Sequence, residues 1–278
     1  MQLSTWLERT RKYLQDFCQD PVLDAQTLLI HELRKGKSWV LAHPEYEIEP
    51  GNIASLQSQL NKVRMGEPIP YLIGHWEFYA LDFLITDDVL IPRPETEMIV
   101  DMAVEWIKKH EGSKRILDMG TGSGCIAVAI ALHAPKLLIV GVDSSEKALG
   151  VARKNAEKFH VENQIRFLQS NLFSNINDRF DVICANLPYI PTFELSSLPV
   201  SKYEPSAALD GGEDGLAVIS LFLGDAGLFI SHPGLILCEH GIGQEDKVRK
   251  MAEIHFPNSK CETHKDLHGI SRTVSVEV

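Results

Sequence analysis

Residues 115–130 read RILDMGTGSGCIAVAI: a short apolar run, three glycines at alternate positions, then an apolar segment of helical length. Glycine suits such a strand-to-helix turn because a side chain there would keep a ligand off the backbone, and the following helix begins with unpartnered N–H groups. A cofactor is the expected occupant. A dinucleotide fold prefers a third glycine where this chain has Cys125, so Asp118 followed by G-x-G-x-G points away from a dinucleotide. The next apolar run, LLIVGVDSS at 137–145, ends in Asp143, where a carboxylate can accept two hydrogen bonds from ribose hydroxyls. An acid there can also cap the next helix, a task for which Ser144 competes.

Around this unit helical and strand-like segments alternate. The pattern predicts helix 95–110, strand 115–119, helix 124–133, strand 137–143, helix 145–159 and strands 165–169 and 180–185. After an irregular loop at 187–212 come helix 213–230, strand 234–239, helix 244–255 and closing strands near 260–264 and 272–277. Such alternation gives an α/β fold with a mainly parallel sheet covered on both faces by helices. Upstream, Leu3, Trp6, Leu7 and Leu14, then Ala25, Leu28, Leu29 and Leu33, fall on helical faces, with Gly36 closing the second segment. A small helical domain is expected over 1–72. The stretch EPIPYLIGHWEFYALDFLITDDVLIPRPETE reads as a short β-hairpin plus an extended connector, 73–94, before the main domain at 95–278.

The segment DVICANLPYIP, 181–191, ends a strand in a carboxamide, a proline-restrained backbone and an aromatic ring. Ligands of open parallel sheets sit beyond the carboxyl ends of strands, which brings Asn186 into the reaction zone. The residue types suit a grip on a planar NH2 group, both of whose N–H bonds can be taken by acceptors. Asn186 Oδ1 and the carbonyl of Leu187 can serve, Pro188 keeps residue 187 extended, and Tyr189 can stack on the planar group.

Composition narrows the classes. With 44% hydrophobic and 23% charged residues in 278, the chain is an ordinary globular protein of two domains. The net charge is −11, of which residues 1–75 carry −1 and the rest −10. No basic stripe marks a duplex-binding face. Five scattered cysteines without a C-x-x-C pair read as reduced, mostly buried thiols, and the eleven histidines form no metal-ligand pattern, so no metal is expected. The N-terminus lacks signal-peptide character and no run is long enough for a membrane span; a cytoplasmic protein is expected.

Asp118 with G-x-G-x-G resembles the donor site of class I S-adenosylmethionine methyltransferases, with their Rossmann-like, mainly parallel seven-stranded sheet. The resemblance implies that Gly120, Thr121, Gly122, Ser123 and Gly124 pass beside the methionine portion of S-adenosyl-L-methionine, that Asp143 holds its ribose, and that Asn171 and Leu172 flank adenine. Asn171 stands where an aspartate is common. Asn186-Leu187-Pro188-Tyr189 resembles the [N/D]-P-P-Y motif of amino-methyltransferases, with Leu187 in place of the first proline. GEPIPYLIGHWEF, LIPRPETE, YEPSAALDGGEDGL, EHGIGQ and DAQTLLIHEL together resemble the bacterial release-factor glutamine methyltransferases of the PrmC or HemK type over nearly the whole chain.

That resemblance implies N5-methylation of the glutamine in the Gly-Gly-Gln loop of peptide chain release factors, with S-adenosyl-L-homocysteine as coproduct. Asn186 and the backbone of Leu187 would grip the glutamine, Tyr189 would flank it, and the helical domain and connector would contact the release factor. A monomer without nucleic-acid or membrane partners is expected. A ribosomal-protein glutamine methyltransferase and a DNA adenine N6-methyltransferase use the same motif types, the acidic balance counting against the second. A noncatalytic donor-binding module is a third reading, opposed by intact Gly120, Gly122, Asp143 and Asn186. Arg93, Glu95, Glu204 and His240 have structural readings beside functional ones.

Overall fold

The computed structural model describes residues 1–278 except 19, 111, 113, 135 and 136. The chain divides into two units, Met1–Gly74 and His75–Val278. The first holds helices α1 (Leu3–Leu14), α2 (Pro21–Leu33), α3 (Lys37–Ala42), α4 (Pro50–Arg64) and α5 (Ile69–Ile73). Leu3, Trp6 and Leu14 of α1 and Ala25, Leu28 and Leu29 of α2 are buried, as their spacing requires. Asp20 starts α2 by accepting the N–H groups of Val22 and Leu23 at 3.2 and 3.0 Å, with Pro21 in the first turn. The end of α2 differs from expectation: Arg34, left-handed at φ 52°, closes it, and Gly36 precedes α3 instead. Likewise Ile69–Ile73 is a helical turn, because Pro70 sits in its first turn and Gly74 at φ 77° ends it.

The second unit opens with a hairpin, β1 (His75–Phe78) and β2 (Leu81–Leu84), joined by Tyr79 and Ala80, both left-handed, the geometry of a two-residue primed turn. Then follow α6 (Glu97–Lys109), β3 (Arg115–Met119), α7 (Cys125–His133), β4 (Leu138–Asp143), α8 (Glu146–Lys158), β5 (Ile165–Gln169) and β6 (Phe180–Ala185). Two short helices, α9 (Thr192–Leu195) and α10 (Ser206–Leu209), lie in the segment expected to be irregular. They are too short to leave a periodic signature. The chain ends with α11 (Ala217–Phe229), β7 (Ile230–Glu239), α12 (Glu245–His255), β8 (Lys260–Lys265) and β9 (Ser271–Glu277). Helix α11 starts four residues later than expected because Gly212 and Gly215, at φ 91° and 75°, hold turns before it. Gly215 is obligatory on a second count: a Cβ there would lie 2.3 Å from the carbonyl oxygen of Tyr189.

The seven-stranded sheet has the order β5-β4-β3-β6-β7-β9-β8, parallel through β7 and antiparallel at β9 and β8. Chain order reverses between β3 and β6, so the carboxyl ends of these two strands open a crevice where no connection crosses. Helix α7 is buried at every position from Cys125 to Ala131, as a helix apolar all round must be. All five cysteines are free, with Cys125, Cys184 and Cys238 buried. Among the described residues no helix is long and apolar enough to cross a membrane.

Candidate active site

The crevice holds a cavity of about 290 Å³, lined by Gly120, Thr121, Gly122, Asp143, Asn171, Leu172, Asn186, Leu187 and Pro188 among others. Four separate strand ends thus supply the residues singled out in the sequence. Four of those singled out lie elsewhere. Asp118, Ser123 and Gly124 sit beneath the glycine turn, and Tyr189 points away to Glu239.

The turn is held from below. The N–H groups of Gly120 and Thr121 both reach the carbonyl of Val142 at 2.8 Å, and Gly120, Gly122 and Gly124 adopt φ of 73°, 53° and 80°, where side chains are strained. A Cβ at Gly120 would lie 3.2 Å from Leu187 Cδ2 and 3.3 Å from the Asn186 carbonyl, so the two strand ends close against each other only without it. Asp118 Oδ2 accepts Thr121 Oγ1–H at 2.6 Å and Ala127 N–H at 3.1 Å, tying the turn to α7. Full burial of this carboxyl, partly offset by those hydrogen bonds, raises its pKa to about 6.

Asp143 accepts Gly122 N–H on Oδ2 at 3.0 Å and Ser145 N–H on Oδ1 at 2.9 Å. Its burial pushes its pKa upward against those two backbone bonds. Capping of α8 falls to Ser145, whose Oγ accepts Ala148 N–H at 3.2 Å, and not to Ser144. Each Asp143 oxygen therefore keeps a lone pair for a ligand hydroxyl. Leu172 stands at φ 46°, in a turn braced by Ser170, whose Oγ donates to the Leu172 carbonyl at 2.8 Å and accepts Asn175 N–H at 2.9 Å.

Beside the other strand end runs a buried polar chain. Asn186 Nδ2 donates to Thr96 Oγ1 at 3.0 Å, Thr96 Oγ1 donates to Glu239 Oε2 at 2.7 Å, and Tyr189 OH donates to Glu239 Oε1 at 3.3 Å. Burial above all, with repulsion from Glu95 and against the Thr96 hydrogen bond, raises the Glu239 pKa to about 7. Burial, then the Glu239 charge, raises that of Tyr189. His240 is buried and outside the cavity; its Nδ1–H donates to the Gly241 carbonyl at 2.9 Å, and desolvation lowers its pKa. Arg93 pairs with Glu204 at 2.6 Å, the arginine side chain 31% exposed and the glutamate 0%.

A carboxyl with a raised pKa binds its proton more tightly in the folded chain than in the unfolded one. Its contribution to stability is complete below the unfolded value, 4.5 for Glu239, and is lost as pH climbs through about 7. Urea midpoints of the wild type should therefore fall from about pH 5 to 8 more steeply than those of Glu239→Gln. Parallel curves would remove Glu239 as the titrating group.

Three positions not singled out complete the site: Thr96, inside the LIPRPETE stretch, Glu239, which opens EHGIGQ, and Asn155, in no motif. Asn155, on the buried face of α8 with Ala148 and Ala152, accepts Leu84 N–H at 2.7 Å and donates to the carbonyls of Leu84 at 3.0 Å and Ser123 at 2.8 Å. It joins the hairpin to the glycine turn. The only sequence signal was an amide on a face otherwise made of small apolar residues. Asn155→Ala leaves three buried backbone groups without a partner and should lower unfolding free energy by about 2–4 kcal/mol, read from urea denaturation. A loss under about 0.5 kcal/mol would mean that water replaces the amide at no cost.

The sequence profile of the Methyltransferase small domain matches residues 99–196 and that of the PrmC N-terminal domain matches residues 5–74. The chain is 36% identical over 273 residues to the release factor glutamine methyltransferase of Geobacter sulfurreducens, covering 96% of this chain and 94% of that one. It is 34% identical over 279 residues to the protein of the same name in Agrobacterium fabrum, covering 98% and 96%. Among solved structures a methyltransferase from Pyrococcus furiosus shares the fold, with a TM-score of 0.54 at 15% identity over 80% of this chain and 98% of that chain. Sequence likeness spanning both units, with the glycine turn and Asn186 at one crevice, places the chain in the release factor glutamine methyltransferase family.

Proposed function

We propose that this protein transfers the methyl group of S-adenosyl-L-methionine to the side-chain amide nitrogen, N5, of the glutamine in the Gly-Gly-Gln motif of peptide chain release factors. The observation that carries the reading is the state of Asn186, whose Nδ2 is already engaged by Thr96 while the residue lines the cavity beside the glycine turn. That leaves Oδ1 as the acceptor of a residue that lines the cavity.

The cavity suits the donor. Gly120 lets the ends of β3 and β6 close against each other beside the space, Asp143 keeps lone pairs for two ribose hydroxyls, and Asn171 and Leu172 offer a polar edge and an apolar wall for a base. Bound there, S-adenosyl-L-methionine supplies an electrophilic methyl group and leaves as S-adenosyl-L-homocysteine.

The chain's part is to prepare the amide nitrogen. Asn186 Oδ1 and the Leu187 carbonyl take its two N–H bonds, which turns the lone pair out of conjugation and toward the donor. Pro188 holds residue 187 extended, so the loss of a proline at 187 leaves the second acceptor in place. Orientation of this kind contributes about 7–11 kcal/mol in intramolecular reactions; as the N–CH3 bond forms, the nitrogen gives up one proton to a nearby acceptor and from there to solvent, and no carboxylate base is needed. Tyr189 anchors this segment through Glu239 as it leaves the strand. The helical unit, residues 1–74, and the hairpin serve release-factor recognition, the enzyme acting as a cytoplasmic monomer without nucleic acid.

Transfer of labelled methyl should be measured to an unmodified release factor, to the same factor with its loop glutamine changed to alanine, to a ribosomal-protein substrate and to duplex DNA. Label in the intact factor alone is expected. Label in the alanine version, or in either rival substrate, would move the activity elsewhere.

A further inference from the structure

We propose that Thr96 and Glu239 are positioning residues that fix which way the Asn186 carboxamide faces. The inference rests on the reading that Asn186 Oδ1 receives the substrate amide.

A carboxamide has two ends of nearly equal size, so packing alone does not choose between its two flips. The hydrogen-bond partner chooses. Asn186 meets Thr96 Oγ1 at 3.0 Å, and a hydroxyl can either receive the Nδ2–H or give its proton to Oδ1. Thr96 has one proton, and Glu239 Oε2, 2.7 Å away, takes it. In its ionised form, which prevails above about pH 7, Glu239 only accepts, so there the direction runs one way: Nδ2–H to Oγ1, Oγ1–H to Oε2. The acceptor end of Asn186 is the end left over.

Burial makes the assignment rigid. Thr96 is 2% exposed and Glu239 0%, so water is not present in bulk to offer the hydroxyl another partner. Tyr189 OH, at 3.3 Å, donates to the second oxygen of Glu239 and adds a donor where a competing acceptor would weaken the order. Further out, Arg272 Nη1 stands 3.8 Å from Glu95 Oε1, and both charges act on Glu239 from beyond this chain. In the opposite flip, Asn186 would present N–H groups to the N–H groups of the substrate. Donor would face donor.

Removing the hydroxyl while keeping its shape tests this. Thr96→Val in the full-length enzyme should lower kcat about 10- to 100-fold, the scale of a misoriented reacting group, and leave donor Kd and the KM of the release factor within about twofold. Thr96→Ser, which restores the hydroxyl and omits the methyl, should return kcat to within about threefold of wild type. A packing role would reverse that order, sparing Val and penalising Ser. Glu239→Met gives a second route should the Val variant not fold: with no acceptor behind it, Thr96 is free to donate to Oδ1, and kcat should again fall at least about tenfold. Wild-type kcat in a folded Thr96→Val or Glu239→Met enzyme, equal damage from Val and Ser, or a loss confined to donor affinity would overturn the proposal. Asn186→Ala, assayed alongside, separates the two ideas. If it turns over normally, the reading of Asn186 and this proposal fall together; if it is inactive while Thr96→Val is not, only this proposal falls.

Discussion

An Asn186→Ala enzyme should bind its donor and almost cease to transfer methyl. We expect kcat to fall about 100- to 1,000-fold, the loss seen when one polar group fixed at a reacting centre is deleted. Donor Kd, measured by calorimetry, should stay within about threefold, because the binding energy comes from the glycine turn and Asp143, which the substitution leaves alone. Two changes produce the loss. The substrate amide keeps only one acceptor, so its lone pair stays conjugated, and Thr96 loses the donor that completed its hydrogen bonding. Asn186→Asp should fall between alanine and wild type. It keeps an acceptor for the substrate but sets a second carboxylate against Thr96, which has a single proton to share between residues 186 and 239. Unchanged turnover in the alanine variant would end the assignment, and a loss of donor binding equal to the loss of turnover would make Asn186 a donor ligand instead.

A stability effect that depends on pH belongs to Arg93. Its guanidinium is the partner of Glu204, whose side chain is wholly buried, and deleting one member of a buried pair costs about 3–5 kcal/mol. Arg93 is partly exposed, so solvent reaches the pair and we expect Arg93→Met to lose about 2 kcal/mol. Glu204→Gln added to it should recover most of that loss, since an uncharged amide needs no counterion. Burial already raises the Glu204 pKa against the pull of Arg93, and without the arginine it must rise further. The deficit of Arg93→Met should therefore shrink as pH falls, because protonation removes the uncompensated charge. A deficit that is constant with pH, or additive effects in the double variant, would show the pair to be uncoupled. The same pair joins Pro92 and Thr96 on one wall of the cavity to Pro205, Ala207 and Ala208 on the other, so donor affinity should weaken with the loop.

Which of these features the sequence revealed follows from how local their causes are. Strands β3, β4 and β6 are continuous apolar runs because helices cover both sheet faces, and such runs announce themselves. The glycine turn was legible because its strain is local: three left-handed residues within five positions leave no substitute for glycine. Thr96 and Glu239 fall inside the quoted LIPRPETE and EHGIGQ stretches, yet their roles, like that of Asn155, were silent for the opposite reason. Their partners lie 90, 71 and 143 positions away, and nothing in a short window distinguishes a threonine that meets a distant carboxylate from one on a helix surface. Tyr189 was legible as an aromatic at a strand end, but its direction depends on Glu239 and on Gly215, which fold against it from later in the chain.

The sheet order also governs the life of the chain during synthesis. Strand β3 lies inside the finished sheet between β4 and β6, yet until residues 180–185 have left the ribosome it is an edge with its backbone unpaired on one side. A nascent chain that has reached β5 thus exposes a sheet edge at its border. That half-built sheet can recruit strands from neighbouring chains, and slow elongation between β5 and β6 lengthens the exposure. Donor affinity likewise arrives late, since the crevice has one wall until β6 docks.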